Sequence, residues 1–359
     1  MKQILHSRPS IGKEEIEEVK KILLSGHIAQ GKKVKEFEEK LSEFIGVKGT
    51  VVLNSGSSAL HLSLISLGIK NGDEVILPSY VCSSVLNSIY YVGAKPILCD
   101  IGEKDFNISP QEIKKKINKK TKAIIVPHMF GNPCDLEEIL SFDIPVIEDC
   151  AHSIGASYKG KKVGSFGKIS VFSFYATKML GCGEGGAVAS NDTKILDIVK
   201  DLREYDEKQT YKIRYNYKLT DILAGIGIVQ LKKLPSFISK RKKIADKYSK
   251  NFSKYKLVLP VLEKDKENVF YRYIVKVENL DMVLKEFKKN GIICKMPVFK
   301  PLHRYFNLKG FPNTENAYKT AVSIPIYPFL SSEEIGYIIE KGKEIFIVNT
   351  PLPHFSRRE

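Results

Sequence analysis

The sequence predicts an α/β protein with a mostly parallel central sheet and a smaller C-terminal α+β domain, and three observations carry that expectation. Short apolar runs alternate with segments of helical periodicity from Thr50 to Phe174, the pattern of βαβ units. Gly56, Pro78, His128, Asp149 and Lys178 all stand at the carboxyl ends of those runs, where open parallel sheets bind ligands. Beyond Pro235 the alternation gives way to a few strands and helices of another kind, which sets the expected division at 1–235 and 236–359.

The elements follow in order. Lys13 to Leu24 places Ile16, Val19, Ile22 and Leu23 on one helical stripe, and the stretch from Gly31 to Gly46 does the same with Val34, Phe37, Leu41 and Phe44. Strand Thr50 to Leu53 feeds Gly56-Ser57-Ser58, which opens a helix from Ala59 to Leu67. Free backbone N–H groups beside two hydroxyls make a phosphate cradle there, and an ordinary helix cap is the competing reading. Strands are expected at Glu74–Leu77, Pro96–Cys99, Ala123–Val126, Pro145–Glu148 and Ile169–Phe174. A helix is predicted over Thr193 to Arg203, then a loop from Glu204 to Tyr217, long enough to carry function or meet a partner chain. The apolar helix Thr220 to Leu231 must be buried, and Pro235 opens a second, basic helix to about Lys254. The remainder reads as strands Phe270–Val277 and Ile292–Lys295 with helices Leu280–Asn290, Asn316–Val322 and Ser332–Phe346, and the tail from Thr350 reads as frayed.

Composition narrows the function. The 359 residues carry a net charge of +16 from lysines such as Lys114–Lys116 and Lys240–Lys243. No aromatic residues interleave with these runs, so they read as solvated helix surface rather than a nucleic-acid patch, and their field favours an anionic metabolite. Six cysteines without a C-x-x-C pair indicate neither a zinc site nor a disulfide framework. The first residues have no apolar signal core and no window approaches a membrane span, so a cytoplasmic protein is expected.

The chemistry concentrates in Ser173-Phe-Tyr-Ala-Thr-Lys178-Met-Leu-Gly-Cys-Gly-Glu-Gly-Gly186. A lysine just past a strand end reaches into a cleft from rigid backbone, and desolvation favours the neutral, nucleophilic amine. An exposed loop lysine is the competing reading. Gly181 to Gly186 matches G-x-G-x-x-G but precedes the strand-like Ala187–Ser190 instead of a helix, so it is no dinucleotide fingerprint. Gly164-Ser-Phe-Gly-Lys168 is too short between its glycines for a P-loop. Asp149 closes an apolar run, and its carboxylate either caps structure locally or faces a cationic ligand. A phosphate cradle, a carboxylate and a lysine at strand ends are what pyridoxal phosphate needs.

The segments Ser25-Gly-His-Ile-Ala-Gln-Gly31, Ser55-Gly-Ser-Ser-Ala-Leu60, Gly72-Asp-Glu-Val-Ile-Leu-Pro78, Gly93-Ala-Lys-Pro96, Glu148-Asp-Cys-Ala-His-Ser-Ile-Gly155 and Phe172 to Lys178 together resemble the DegT/DnrJ/StrS-type sugar aminotransferases. These are three-layer, fold type I enzymes dependent on pyridoxal phosphate, and the resemblance runs from about Pro9 to Phe346. It implies Lys178 as Schiff-base lysine and proton shuttle, Asp149 as partner of the pyridinium nitrogen, and Gly56, Ser57, Ser58 and Ser173 around the phosphate. His152 falls near the cofactor's phenolic oxygen. Cys82 takes the position where the family commonly stacks an aromatic residue on the ring, with Tyr80 as substitute or as a substrate contact. Tyr215-Asn216-Tyr217 resembles the segment that reaches the neighbouring subunit's site, with Asn216 on its phosphate, which implies a homodimer. Arg214, Lys300 and His303 are expected on the substrate's diphosphate. The implied activity is amino transfer from an amino acid, glutamate, to a nucleotide-linked keto-sugar for cell-surface polysaccharide. A keto-inositol or other ketone acceptor, or a non-catalytic cofactor-binding regulator, is the alternative.

Overall fold

The computed structural model describes residues 3–348, so the tail from Thr350 lies outside the described residues. Helices α1 (Lys13–Ser25) and α2 (Lys32–Ile45) precede strand β1 (Gly49–Leu53). There follow α3 (Gly56–Ser66), β2 (Glu74–Pro78), α4 (Ser83–Tyr91), β3 (Lys95–Cys99), α5 (Pro110–Lys116), β4 (Thr121–Pro127), α6 (Leu136–Leu140) and β5 (Val146–Asp149). Two-residue strands β6 (Ser157–Tyr158) and β7 (Lys161–Lys162) lead to β8 (Ile169–Ser173), β9 (Gly186–Ser190) and α7 (Thr193–Leu202). The chain ends with α8 (Asp221–Phe252), β10 (Lys266–Glu267), β11 (Tyr273–Lys276), α9 (Leu280–Lys289), α10 (Pro312–Thr320), β12 (Ala321–Ile324) and α11 (Ser332–Val348).

Seven strands form one sheet in the order β1-β9-β8-β5-β4-β2-β3. All its pairings are parallel except those of β9, which is antiparallel to both β1 and β8. Alternation along each strand divides the core into two layers. Val51, Leu53, Ala123, Ile125 and Ile147 face α3, α4 and α7, whereas Val52, Ile124, Val126 and Val146 face α2, α5, α6 and α8. A third core gathers Tyr248 and Phe252 of α8 with β11, β12, α9 and α11, and takes in Ile4 from the chain's start. Fully burying each such aliphatic or aromatic side chain stabilises by about 1.5–3 kcal/mol.

Several local expectations are corrected. The helix does not restart at Pro235: α8 runs through the proline and across the expected division. One proline deletes a single backbone bond, and here Leu231 and Leu234 anchor the helix in one core while Ile244, Tyr248 and Phe252 anchor it in another. Its first half lies close against α2, since a Cβ on Gly227 would come within 2.6 Å of the Phe37 ring. Only Ile22 of the α1 stripe is buried; Ile16 and Leu23 are exposed, and Glu15 is buried instead, accepting from Gly12 N, Gln230 Nε2 and Lys233 Nζ. The segment Ile292–Lys295 makes isolated bridges rather than a strand, and Ala321–Ile324 is a strand where a helix end was expected. Among the described residues α8 alone has the length and composition to cross a membrane, and it is a packed core helix.

Candidate active site

At the end of β8 the chain folds back on itself. Phe174 N donates to Gly185 O at 2.8 Å, Cys182 N to Phe174 O at 2.9 Å and Ala176 N to Gly183 O at 2.9 Å, so the glycine-rich stretch is the turn that returns β8 into antiparallel β9. Lys178 sits half-buried in that turn, its own N–H donating to Tyr175 O at 2.8 Å. The last glycine serves a close approach: a Cβ on Gly186 would come within 2.3 Å of Ser55 O. The lysine turn and the Gly56 turn are therefore packed on each other, although 120 residues or so separate them in the chain.

That contact positions the start of α3. Ser55 caps the helix, its Oγ accepting from Ser58 N at 3.1 Å. Gly56 abuts the end of β8, where an added Cβ would lie 3.0 Å from the Ser173 Cβ. Ser57 is exposed and its hydroxyl pairs with that of Ser84 at 2.6 Å, so the N-termini of α3 and α4 converge beside Ser173. Both helices direct unpaired N–H groups and the positive ends of their dipoles toward this point. Ser84 was not singled out from the sequence; its place in the first turn of α4, one residue after the cavity-lining Ser83, was the available signal.

Adjacent to it, a cavity of about 260 Å³ is lined by Cys82, Ser83, Asp149, His152, Lys178 and Lys300, with Phe299 and Tyr305 at its wall. Asp149 ends β5, and its Oδ1 accepts from Ala151 N at 3.0 Å. Among the described residues its Oδ2 has no hydrogen-bond donor. Burial pushes the Asp149 carboxyl up, opposed by the Ala151 N–H and the charge of Lys178. His152 stacks on Tyr271 with centroids 4.4 Å apart, and burial holds its ring well below the usual range, reinforced by Lys178 and Arg272.

The neighbouring Glu148 points the other way, into a fully buried network. Its oxygens accept from Gly164 N at 2.8 Å, Phe166 N at 2.8 Å and Gly167 N at 2.6 Å. His128 Nδ1 accepts from Cys134 N at 3.0 Å, which leaves the proton on Nε2 to donate to Glu148 at 3.1 Å. Although burial raises Glu148, His128 and these N–H groups hold it below the ordinary carboxylate range. His128, Glu148 and Cys150 lie close enough to suggest a metal cluster, yet both ring nitrogens and both carboxylate oxygens already have protein partners. The group braces the ends of β4 and β5 beneath Asp149.

The remaining expectations fare differently. Tyr80 is 0% exposed, stacked on Phe106 at 6.0 Å in the core, so it cannot substitute as the ring-stacking or substrate residue. His303 is also buried; Nδ1 pairs with Ser79 Oγ at 2.7 Å and Nε2 with Glu315 at 2.8 Å, so neither nitrogen is left for a diphosphate. It ties the end of β2 to the C-terminal region. Arg214 is spent locally, on Asp201 of α7 at 3.0 Å and on Thr210 O of its own loop at 2.7 Å. The Ser58 hydroxyl turns back to Asn54 at 2.6 Å. Asn216 is exposed on the 204–220 segment, with its carbonyl accepting from Asn54. Lys300 stays at the cavity, its ammonium 4.4 Å from the Tyr305 ring centroid. Sequence reasoning missed Tyr271 and Arg272, which no local pattern assigns to this place.

With this geometry in view, comparison with known proteins is decisive: the DegT/DnrJ/EryC1/StrS aminotransferase family matches residues 9–342. The chain belongs to that family. A GDP-perosamine synthase from Escherichia coli O157:H7 is 36% identical to this aminotransferase over 96% of the chain and 99% of its own length. The spore coat polysaccharide biosynthesis protein SpsC of Bacillus subtilis is 33% identical over 95% of the chain and 96% of its own. Among solved structures, Spr1654 from Streptococcus pneumoniae in its PLP-form superposes with a TM-score of 0.91 at 29% identity, covering 97% of this chain and all of that one (100%). The aminotransferase therefore has the three-layer α/β architecture expected of a fold type I enzyme.

Proposed function

We propose that this aminotransferase moves an amino group from an amino acid, glutamate, to a keto-sugar carried on a nucleoside diphosphate, in the cytoplasm, for polysaccharide synthesis. One observation carries the reading: Lys178 and Asp149 share a single cavity beside two converging helix N-termini.

The cofactor is pyridoxal 5′-phosphate, which when bound supplies a carbonyl for covalent attachment and an electron-withdrawing ring. The residues fit it. Asp149 Oδ2, without a protein donor, suits a protonated ring nitrogen, and Gly56, Ser57, Ser173 and Ser84 surround a point where an anion is stabilised by two helix dipoles. Ser58 contributes through the cap that orients α3. Lys178 Nζ would hold the cofactor's carbonyl carbon covalently, water being the leaving group, and once displaced by the donor amine would take up and return a proton at the same atom. His152, Cys82 and Lys300 line the same cavity, with His152 assigned to the cofactor's phenolic oxygen, Cys82 to the stacking position and Lys300 to the diphosphate. Asn216, on the exposed loop, is assigned to the partner subunit's phosphate in a homodimer. The exposed Leu24, Tyr211 and Ile213, at 79%, 98% and 70%, support such an interface.

Lys178→Ala should abolish both borohydride-reducible attachment of the cofactor and amino transfer. A protein retaining both would overturn the mechanism. Assays of nucleotide-linked keto-sugars and keto-inositols against glutamate decide the acceptor.

A further inference from the structure

The Lys178 ammonium has no hydrogen-bond acceptor among the described residues, and it faces an aromatic ring: Nζ lies 5.2 Å from the centroid of Tyr271. The same ring stacks against His152 at 4.4 Å with an interplanar angle of 22°. Tyr271 is 5% exposed and belongs to the C-terminal part of the chain, some ninety residues beyond the lysine.

Its position is held from several sides. Val269 N donates to Gly131 O at 3.1 Å and Arg272 N to Phe130 O at 3.3 Å, docking the segment on the loop after β4. Arg241 of α8, itself buried, donates to the carbonyls of Phe270 and Tyr271, both at 3.3 Å. The Arg272 guanidinium lies 4.6 Å from the ring centroid, and its Nη2 donates to the Tyr271 hydroxyl at 3.2 Å. Arg272 is in turn fixed from the chain's start: Nη1 donates to His6 Nδ1 at 3.1 Å, which leaves the proton on Nε2 to meet Ser323 Oγ at 2.8 Å. The N-terminal segment, β12 and α8 thus converge on one aromatic ring beneath the lysine.

We propose that Tyr271 is a positioning residue for amino transfer: its ring holds the Lys178 amine and the His152 ring in register, with Arg272 and His6 as its clamp. A cation over an aromatic face is attracted without being bound by a directional hydrogen bond, so the amine is oriented yet free to move. The inference rests on Lys178 being the cofactor-binding lysine.

The test is capture of pyridoxal phosphate by the full-length apoprotein, trapped with borohydride and located by peptide mass, alongside steady-state transfer by the holoenzyme. Tyr271→Phe keeps the ring and should capture at the native rate. Tyr271→Leu should slow capture and lower kcat by about 10- to 100-fold, with KM for the keto-sugar unchanged. Capture by the Leu variant at the native rate, or a Phe variant as slow as the Leu variant, overturns the proposal. Should the Leu variant fail to fold by circular dichroism, Arg272→Met, which spares the ring and removes its clamp, takes its place; slower capture supports the proposal and native capture overturns it. Native protein that traps nothing at Lys178 refutes the reading of the lysine, whereas trapping there that ignores Tyr271 and Arg272 refutes this inference alone.

Discussion

Two buried side chains define how the site responds to substitution and to pH. Asp149 keeps a carboxylate where burial disfavours the charge, and among the described residues only one of its oxygens has a protein donor, which suits a cationic partner at the other. Asp149→Asn removes the charge while keeping the shape. Amino transfer should fall by roughly 100-fold or more at saturating cofactor, measured as kcat with glutamate as donor. His6 behaves in the opposite sense. Burial, with Arg272 and Lys295 adding to it, lowers its ring from 6.5 to about 2. Between those values the unfolded chain binds a proton at this position and the folded chain does not, so stability falls as pH is lowered through that window. His6→Gln should flatten the acid limb between about pH 6.5 and pH 4, read from thermal unfolding of the apoprotein across pH.

At the scale of elements, α8 sets the relation between the sheet and the C-terminal core. Its exposed Pro235 leaves one turn without an N–H donor, yet the helix continues because each half is packed independently. Pro235→Ala should therefore raise stability by about 1–3 kcal/mol in chemical denaturation, since the alanine restores a donor and costs no packing. An unchanged or lower stability would mean that the proline shapes the bend the two cores require. The β8–β9 turn illustrates a second element-level device. Because β9 is antiparallel and inserts between β1 and β8, the lysine turn is brought against the Gly56 turn, and glycine at 186 lets the two backbones touch. The central strands were legible within a residue or two because short continuous apolar runs and flanking turn residues are local signals. In the C-terminal region β11 was legible inside the expected Phe270–Val277, but β12 was not: it is a strand because β11 pairs with it, and its residues carry no alternation that a short helix would forbid.

At the scale of the molecule, the apolar residues of α1 and the 204–217 loop remain to be covered. Ile16, Leu23 and Leu24 fall on a helix whose pattern demands burial, and Tyr211 and Ile213 stand out from a loop without regular structure. The native chain should sediment as a dimer, and the pair Leu24→Asp with Tyr211→Asp should shift it toward monomer and weaken cofactor retention. A native monomer in sedimentation velocity would refute the shared-site reading. The same exposed stripe explains why the helix pattern of α1 was right while its expected burial within one chain was not.

The sequence by itself determined the order of strands and helices through the central sheet and the placement of Gly56, Asp149 and Lys178 at or just past strand ends. It also carried the family, because periodicity, turn chemistry and motif order are properties of neighbouring residues. Only the tertiary structure decided which side chains complete the site. Tyr80 and Cys82 stand two positions apart, and nothing local tells that one packs into the core against Phe106 while the other lines the cavity. His303 reads as a free base until Ser79 and Glu315 are seen on its two nitrogens. Tyr271 reaches Lys178 from the C-terminal part of the chain, and His6 reaches the adjoining Arg272 from its start. Such convergence depends on long-range packing, where the loop closed costs only weakly with its length while the contacts made decide the outcome.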